Sequence, residues 1–484
     1  MEGMAMGKRE KRRKQESLWV AAAALPRGAS HPFYQRLNRF LEEQGFDEFC
    51  EQRCAKFYAE ELGRRGLMPG MYFRLLMRGY FEGIDSERGI AWGAADSLSL
   101  RSFLQLSVDE AAPDHSTISR TRRLIDAEIH HEVFAWILER PAEAGLVKGK
   151  TLGIDATTLE ANAAMRSIVR RETGEGYQPF LLGLAKASGI ETPTREDLAR
   201  LDRKRKGKGS DAEWVNPHEP DGRIAKMKDG STHLARKAEH AVDMDTGTVV
   251  AVALHPADQG DTTTVMKTPA QAGEEVAGLM ASETAGGKVN GAGVEEVVAD
   301  KGYPSDQVLA DMQAAGVRTY LPEKKAKRLD WAGKREGRQR MRANRRRVSG
   351  RRGKRLLRRR GELIERGFAH AYGTGGMRRT HLRGHANILK RLHIHNAAHY
   401  LGLLMRQRFG MGKPRSLQGT AGLPEDFLAL AAAISASVAR LVAPQPTGAL
   451  SNSQPALLAA CFPWASYFHK SPFPPRAARL SAYF

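Results

Sequence analysis

The sequence predicts an α/β protein: a mixed sheet with flanking helices, preceded by an all-helical N-terminal region. Three observations predict it. Apolar residues recur at helical spacing from about residue 31 to 124 with no strand signal. Three strand-like runs then follow in series before helix and strand alternate, the pattern of a mixed sheet covered on its faces. Two of the strands stop on or beside an aspartate, Asp155 and Asp300, just before the chain turns. The carboxyl ends of strands are where α/β sheets hold their ligands.

In chain order, residues 1–30 read as a flexible basic arm. A first helix carries Phe33, Leu37, Phe40 and Leu41 and ends at Gly45. A second spans about 48–62 with Phe49, Ala55, Tyr58 and Leu62. A third starts at Pro69, carries Tyr72, Leu75, Leu76 and Tyr80, and closes near Gly83. Residues 97–106 are a short apolar unit. Pro113-Asp114-His115-Ser116-Thr117 then caps a helix bearing Ile118, Arg120, Arg122, Arg123 and Leu124. That helix reads equally as a helix-turn-helix-like DNA reader and as an ordinary surface helix. The helical DNA-binding domain expected here covers 31–145.

A catalytic α/β domain is expected over 150–410. Thr151 to Asp155 alternates as a strand does, so Asp155 points away from the face that Leu152 and Ile154 bury. Residues 160–230, charged and glycine-containing, read as an irregular insertion. Leu234–Val242 and Thr248–Leu254 form strands joined by the hairpin signal Asp243-Met244-Asp245-Thr246-Gly247. Asp261 caps a helix from Thr262. Val294–Ala299 is the next strand, and a helix follows to about Gly316. Val317–Leu321 is the fifth strand, and a basic insertion covers 324–360. A helix bearing Glu362 and Glu365 comes next, with both residues expected near its start and with Leu357, Ile364, Phe368 and Ala371 as its buried face. Residues 385–407 form a long helix lined by Ile388, Leu392, His395, His399 and Leu403. Residues 411–484 read as a C-terminal helix and a disordered tail.

The chain has 484 residues, a net charge of +21 and a pI near 10, which points to a polyanionic partner. The charge is local. Residues 324–360 hold 19 Lys/Arg against two acids, a net +17. Three cysteines, Cys50, Cys54 and Cys461, make no disulfide framework and read as reduced thiols in a cytoplasmic protein. No stretch reaches the ~18 apolar residues of a membrane span. The run Leu18–Leu25 behind a basic cluster imitates a signal peptide, but its eight residues end at Pro26, so a basic tail is the reading.

Two aspartates on strand ends, a glutamate on a helix and a basic segment between them suggest metal-dependent chemistry on nucleic acid. Cutting and joining a phosphodiester requires a deprotonated nucleophile and a stabilised leaving oxygen. Two Mg²⁺ ions about 3.5–4 Å apart supply both. Mg²⁺ takes hard oxygen ligands, so converging carboxylates suffice. Such carboxylates repel one another, so the site is expected to be strained until a cation arrives.

The residues resemble a known family. Gly153-Ile154-Asp155-Ala156-Thr157, Lys237-Ala238-Glu239-His240-Ala241-Val242-Asp243, Ala299-Asp300-Lys301-Gly302-Tyr303, Ile364-Glu365-Arg366-Gly367-Phe368-Ala369-His370, Arg379-Thr380-His381-Leu382-Arg383-Gly384 and Ile394-His395-Asn396-Ala397-Ala398-His399 occur in one order. Together they resemble bacterial insertion-sequence transposases with a DDE-type, RNase H-like core, over roughly 31–410. The N-terminal helices resemble the InsH-like domain of that group. The resemblance implies Asp155, Asp300 and Glu365 as catalytic residues and ligands of Mg²⁺ or Mn²⁺, with two ions. It implies double-stranded DNA as partner, both terminal inverted repeats and target, and a homodimer on paired ends, nucleoid-associated in the cytoplasm. Expected DNA contacts are Arg120, Arg122 and Arg123, then Arg345, Arg346, Arg347, Arg358, Arg359 and Arg360, and Arg379 and Arg383 of the C-terminal signature. The family often places an arginine four residues before the glutamate and a lysine seven after. Here those positions are Gly361 and Tyr372, with Arg358, Arg359 and Arg360 nearby to serve instead.

Single residues have plainer readings. Asp258 and Asp261 read as turn and cap residues, and Asp243 and Asp245 as hairpin residues. His381, His385, His393, His395 and His399 imitate a metal cluster, but His395 and His399 share a face with Ile388 and Leu392, so packed histidines are expected. His370 reads either as a phosphate contact or as packing. The alternative functions are an RNase H-like nuclease without strand transfer and a catalytically inactive, transposase-derived DNA-binding protein.

Overall fold

A computed structural model describes residues 31–59, 66–107, 109–205, 210–227, 230–259, 266–323 and 335–414. The basic arm, Asp261 with its helix start, residues 324–334 and the tail from 415 lie outside these.

The N-terminal region is helical: α1 (Pro32–Glu43), α2 (Phe46–Cys54), α3 (Pro69–Glu82), α4 (Glu87–Asp96), α5 (Leu98–Phe103), α6 (His115–Leu124) and α7 (Ala127–Glu143). Three helices start as their residues dictate: Pro69 occupies the first turn of α3, and Asp114 and Asp126 cap α6 and α7 through Ser116 N and Ile129 N. α2 is shorter than expected, because Phe46, Cys50 and Cys54 form its buried stripe and a 3₁₀ turn takes over at Ala55. α3 is buried on every side. Its two arginines are satisfied inside: Arg74 by Asp47, Asn38 and Phe103 O, Arg78 by Glu82 and Ile90 O. A buried cation persists only when paired in this way.

The sheet strands are β1 (Thr151–Glu160), β4 (Arg223–Lys226), β5 (Thr232–Asp243), β6 (Val249–Pro256), β7 (Glu296–Val298) and β8 (Arg318–Tyr320). β1 is central, antiparallel to β5 on one side and parallel to β7 on the other, and β7 is parallel to β8. β4 and β6 both pair with β5. The stretch between β1 and β5 is not irregular. It folds around Trp214 with β2 (Val169–Arg170) on β3 (Trp214–Val215), plus α8 (Tyr177–Ala187) and α9 (Arg195–Lys204), the last started by a Thr194–Asp197 capping box.

The remaining helices are α10 (Lys267–Ala281), α11 (Asp306–Ala314), α12 (Arg335–Ser349), α13 (Arg351–Phe368) and α14 (His385–Phe409). α10 packs on β5 and β6, α13 crosses β1, β7 and β8, and α14 packs on α3, α7 and β6. The basic segment is therefore helical where it is described. α12 covers the edge strand β8: buried Asn344 accepts from Thr319 Oγ1 and Leu321 N and donates to Leu321 O. An open edge would otherwise offer unpaired backbone groups. Asp243 closes the β5–β6 hairpin by accepting from Asp245 N and Thr246 N, and ties it to β1 by accepting from Lys148 N and Gly149 N.

Candidate active site

Asp155 sits midway along β1, which runs on to Glu160 instead of stopping at the aspartate as expected, and Asp300 lies two residues past the end of β7. The two strands are parallel neighbours with Gly153 opposite Val298, so continuing the register brings the aspartates to the same level, where β7 ends and β1 runs on. Their convergence is visible in one shared cation. Arg360 on α13 places Nη1 2.8 Å from Asp155 Oδ2 and Nη2 3.8 Å from Asp300 Oδ1, and donates from Nη1 to Ile154 O at 3.3 Å.

The sequence explains this placement. Gly153 lets α13 lie against β1: a Cβ there would meet Met244 Sδ at 2.6 Å and Arg360 Cγ at 3.3 Å. Gly353, Leu356, Arg360, Ile364 and Phe368 repeat every three or four residues and form the buried stripe of α13. Arg352 anchors the helix start to Glu296 of β7, which also accepts from Thr151 and Tyr320. Beyond Asp300, Tyr303 is buried and donates to Glu239 Oε1 at 2.9 Å, which fixes the turn from the opposite face of the sheet.

Burial pushes the Asp155 carboxyl above its ordinary value; Arg360 pulls it back, and Asp300 adds to the rise. The expected repulsion between the carboxylates is present, and the single guanidinium offsets one of their two charges. Arg360 is thus buried at the acidic pair rather than turned toward a DNA backbone. Two aspartates sharing a cation fit a hard divalent ion, and Asp155 and Asp300 are the residues that would hold it.

Glu365 is placed differently from the expectation. It lies near the end of α13, not the start, is exposed, and is not brought into contact with the aspartates. Among the described residues no group of three acidic, histidine or cysteine side chains is gathered for a metal. With Leu356 rather than Leu357 fully buried, Glu365 lies about 120° from the stripe centre and Glu362 about 180°. Glu362 pairs with Arg366 at 2.6 Å. Directly after α13, residues Ala369–Thr374 form a π-helical turn, a distortion frequent at functional sites. Tyr372, at the lysine position, is buried in it and meets His240 Nε2.

The arginines divide. Arg122 is buried on Glu87 at 2.6 Å. Arg345 pairs with Glu323, and Arg347 donates to Thr319 O. Arg359 donates to Asp245 O, and Arg379 lies 3.6 Å from Glu160. Arg120 and Arg123 are exposed and reach back only to their own helix. Arg346, Arg358 and Arg383 are exposed. The sequence reasoning missed Arg351, Arg355 and Arg366, which share the outer face of α13 with Arg358 and Glu365. The helical period of the arginine run was the available signal. Replacing Arg346, Arg355 and Arg358 by Ala is expected to flatten the log–log salt slope of DNA binding by up to about 2–3 units. Replacing Arg122, Arg345 and Arg347 should leave the slope nearly unchanged and lower the melting temperature instead. The reverse pattern in binding titrations at several salt concentrations rejects this division.

The histidines of α14 pack as expected. His399 Nδ1 meets Tyr80 OH at 2.8 Å, and His395 Nε2 meets Ala371 O at 2.6 Å.

Comparison with known families gives two matches. The Transposase domain (DUF772) matches residues 21–124, and the Transposase DDE domain matches residues 204–401. The second match contains Asp300 and Glu365, while Asp155 falls between the two. It identifies the fold as the RNase H-like mixed sheet with flanking helices. No curated protein matches the chain.

Proposed function

The chain belongs to the DDE transposases of insertion sequences, and from that premise we propose that it binds the ends of such an element and catalyses metal-dependent DNA strand cleavage and transfer. The observation that supports the reading is the convergence on Arg360 of Asp155, midway along β1, and Asp300, just past the end of the parallel strand β7. A divalent ion, Mg²⁺ or Mn²⁺, supplies Lewis-acid activation of the attacking oxygen and neutralises the leaving one. Asp155 and Asp300 would hold it, and in its absence Arg360 offsets one of their two charges. The outer arginines of α13 hold the DNA backbone along the helix that carries Glu365, the proposed third acid. In this structure Glu365 is exposed on α13 and would have to approach the pair to join them as a ligand. Double-stranded DNA, a homodimer on paired ends and a place in the nucleoid follow from the same reading. Among the described residues, no helix is long and apolar enough to cross a membrane.

The test uses DNA carrying the element's inverted repeats with Mg²⁺ or Mn²⁺. Glu365→Gln is expected to lose strand cleavage and weaken metal binding, whereas Glu362→Gln keeps most activity and loses only its pair with Arg366. A dead Glu362→Gln beside an active Glu365→Gln would reject the assignment of the third acid. Cleavage without joining by the wild-type protein would favour the nuclease reading.

A further inference from the structure

Arg360 occupies the place between the two aspartates. It is buried, and Gly153 lets its stem lie against β1, where a Cβ would meet Arg360 Cγ at 3.3 Å. The two oxygens of Asp155 are used differently. Oδ1 accepts from Ala156 N at 2.9 Å, which fixes the carboxylate on its own strand. Oδ2 faces α13 instead and lies 2.8 Å from Arg360 Nη1, while Asp300 Oδ1 lies 3.8 Å from Nη2. The two ends of one guanidinium thus take carboxylate oxygens that a metal ion would need.

Two features make this seat provisional. The first is charge. One guanidinium against two carboxylates leaves the site negative, so it still attracts cations. A divalent ion entering beside Arg360 would set three positive charges against two negative ones at close range, and the like charges repel. Ion and guanidinium therefore exclude each other. The second is hydrogen bonding. Arg360 Nε is buried and has no hydrogen-bond partner among the described residues, and the bond from Nη1 to Ile154 O is long at 3.3 Å. A buried donor without a partner is destabilising and regains one in water. Release of the side chain is thus not opposed by a complete set of bonds.

We infer that Arg360 competes with the divalent ion: it seats on the aspartates in the metal-free protein and must leave them before the ion is held. The inference rests on the reading of Asp155 and Asp300 as the metal-holding pair. Its consequence is a lowered metal affinity, because only molecules with Arg360 released can take the ion. Removing the charge at 360 therefore tightens metal binding. A residue that merely assembles the two carboxylates gives the opposite result.

The experiment reads metal binding by the full chain, without DNA and without a cut. Mn²⁺ is titrated into wild type, Arg360→Met and Arg360→Lys, and free ion is followed by electron paramagnetic resonance. Arg360→Met keeps an apolar stem against Gly153 and removes the charge, whereas Arg360→Lys keeps the charge. The expected result is Mn²⁺ affinity about tenfold tighter in Arg360→Met, the equivalent of one pKa unit of interaction, and close to wild type in Arg360→Lys. Circular dichroism melting establishes folding. If Arg360→Met does not fold, Arg360→Gln, which keeps a neutral donor for Asp155, carries the same expectation. Affinity equal to or weaker than wild type in a folded neutral variant overturns the inference, and so does an Arg360→Lys as tight as Arg360→Met. Asp155→Asn and Asp300→Asn are the controls. Weakened Mn²⁺ binding in both, beside an unchanged Arg360→Met, rejects the competition and leaves the metal-holding pair standing. Binding unaffected in both rejects the pair, and the competition with it.

Discussion

Asp155→Asn and Asp300→Asn are each expected to lower Mg²⁺-dependent strand cleavage by at least about 10³-fold, the upper end for one preorganised electrostatic contact to a transition state. DNA binding should change little, because neither carboxylate contributes attraction to a polyanion. The two substitutions differ in their side effects. Asp155 is the more enclosed and carries the 2.8 Å contact to Arg360, whereas Asp300 is half-exposed at 3.8 Å. Asp155→Asn leaves the guanidinium with one carboxylate instead of two in a mostly buried place, so a lower melting temperature is expected for it. Asp300→Asn should melt close to wild type. Cleavage at wild-type rate by either variant removes that residue from the site. Quantitative cleavage assays beside anisotropy binding curves make the separation.

The second large effect is on stability against pH. Burial holds His130, His240, His393 and His399 each at about 3, and His395 well below its ordinary 6.5. The folded chain keeps these rings neutral while the unfolded chain protonates them from about 6.5 downward. Stability is therefore full above 6.5 and is lost as the pH falls toward 3. At pH 5.5 each ring costs about 1.4 kcal/mol, so the five together cost about 7 kcal/mol, comparable to the whole stability of an ordinary domain, about 5–15 kcal/mol. His131 returns part of this, because its bond to Glu275 raises it. Cooperative unfolding between pH 6 and 5 is expected, followed by near-ultraviolet circular dichroism. A protein still folded at pH 4 would show that these rings find proton-accepting partners on acidification.

Much of this was legible in the sequence, and the reasons differ by residue. Asp155 and Asp300 stood out because strand alternation at the first and a following turn at the second are local signals, although β1 runs past Asp155 to Glu160. The Asp114 cap, the Pro69 start and the Asp243 hairpin are local too, and the structure reproduces all three. Arg360 was readable as a cation but not as the partner of both aspartates. That pairing depends on Gly153, two hundred residues away, letting α13 approach β1. α7 carries Ile129, Val133, Phe134, Ile137 and Leu138 at plain helical spacing, yet interior Pro141 and two adjacent histidines blur its pattern. The fold of 161–222 was hidden by composition: charge and glycine dominate, and its apolar residues form only two small cores, one around Trp214 and Ile168 and one around Leu181, Ala185 and Leu198. Arg122 and Arg347 looked exposed in the sequence because the acidic partner Glu87 and the backbone acceptor Thr319 O are remote in the chain, while Arg345 is exposed as well as paired with Glu323.

α14 fills the groove left by α3 and α7, so the core of the first helices is completed by residues 385–409. Synthesis runs in one direction, and some 240 residues separate the end of α7 from the start of α14. At about 5–20 residues per second the nascent helices wait roughly 12–50 s for their last partner. During that interval Tyr80, Phe134 and their neighbours lie bare beside the ribosome, a surface for chaperones to shield. A stop codon upstream of 385 removes the helix that covers Tyr80 and Phe134. Intact message is therefore a condition for a folded first third as much as for the catalytic sheet.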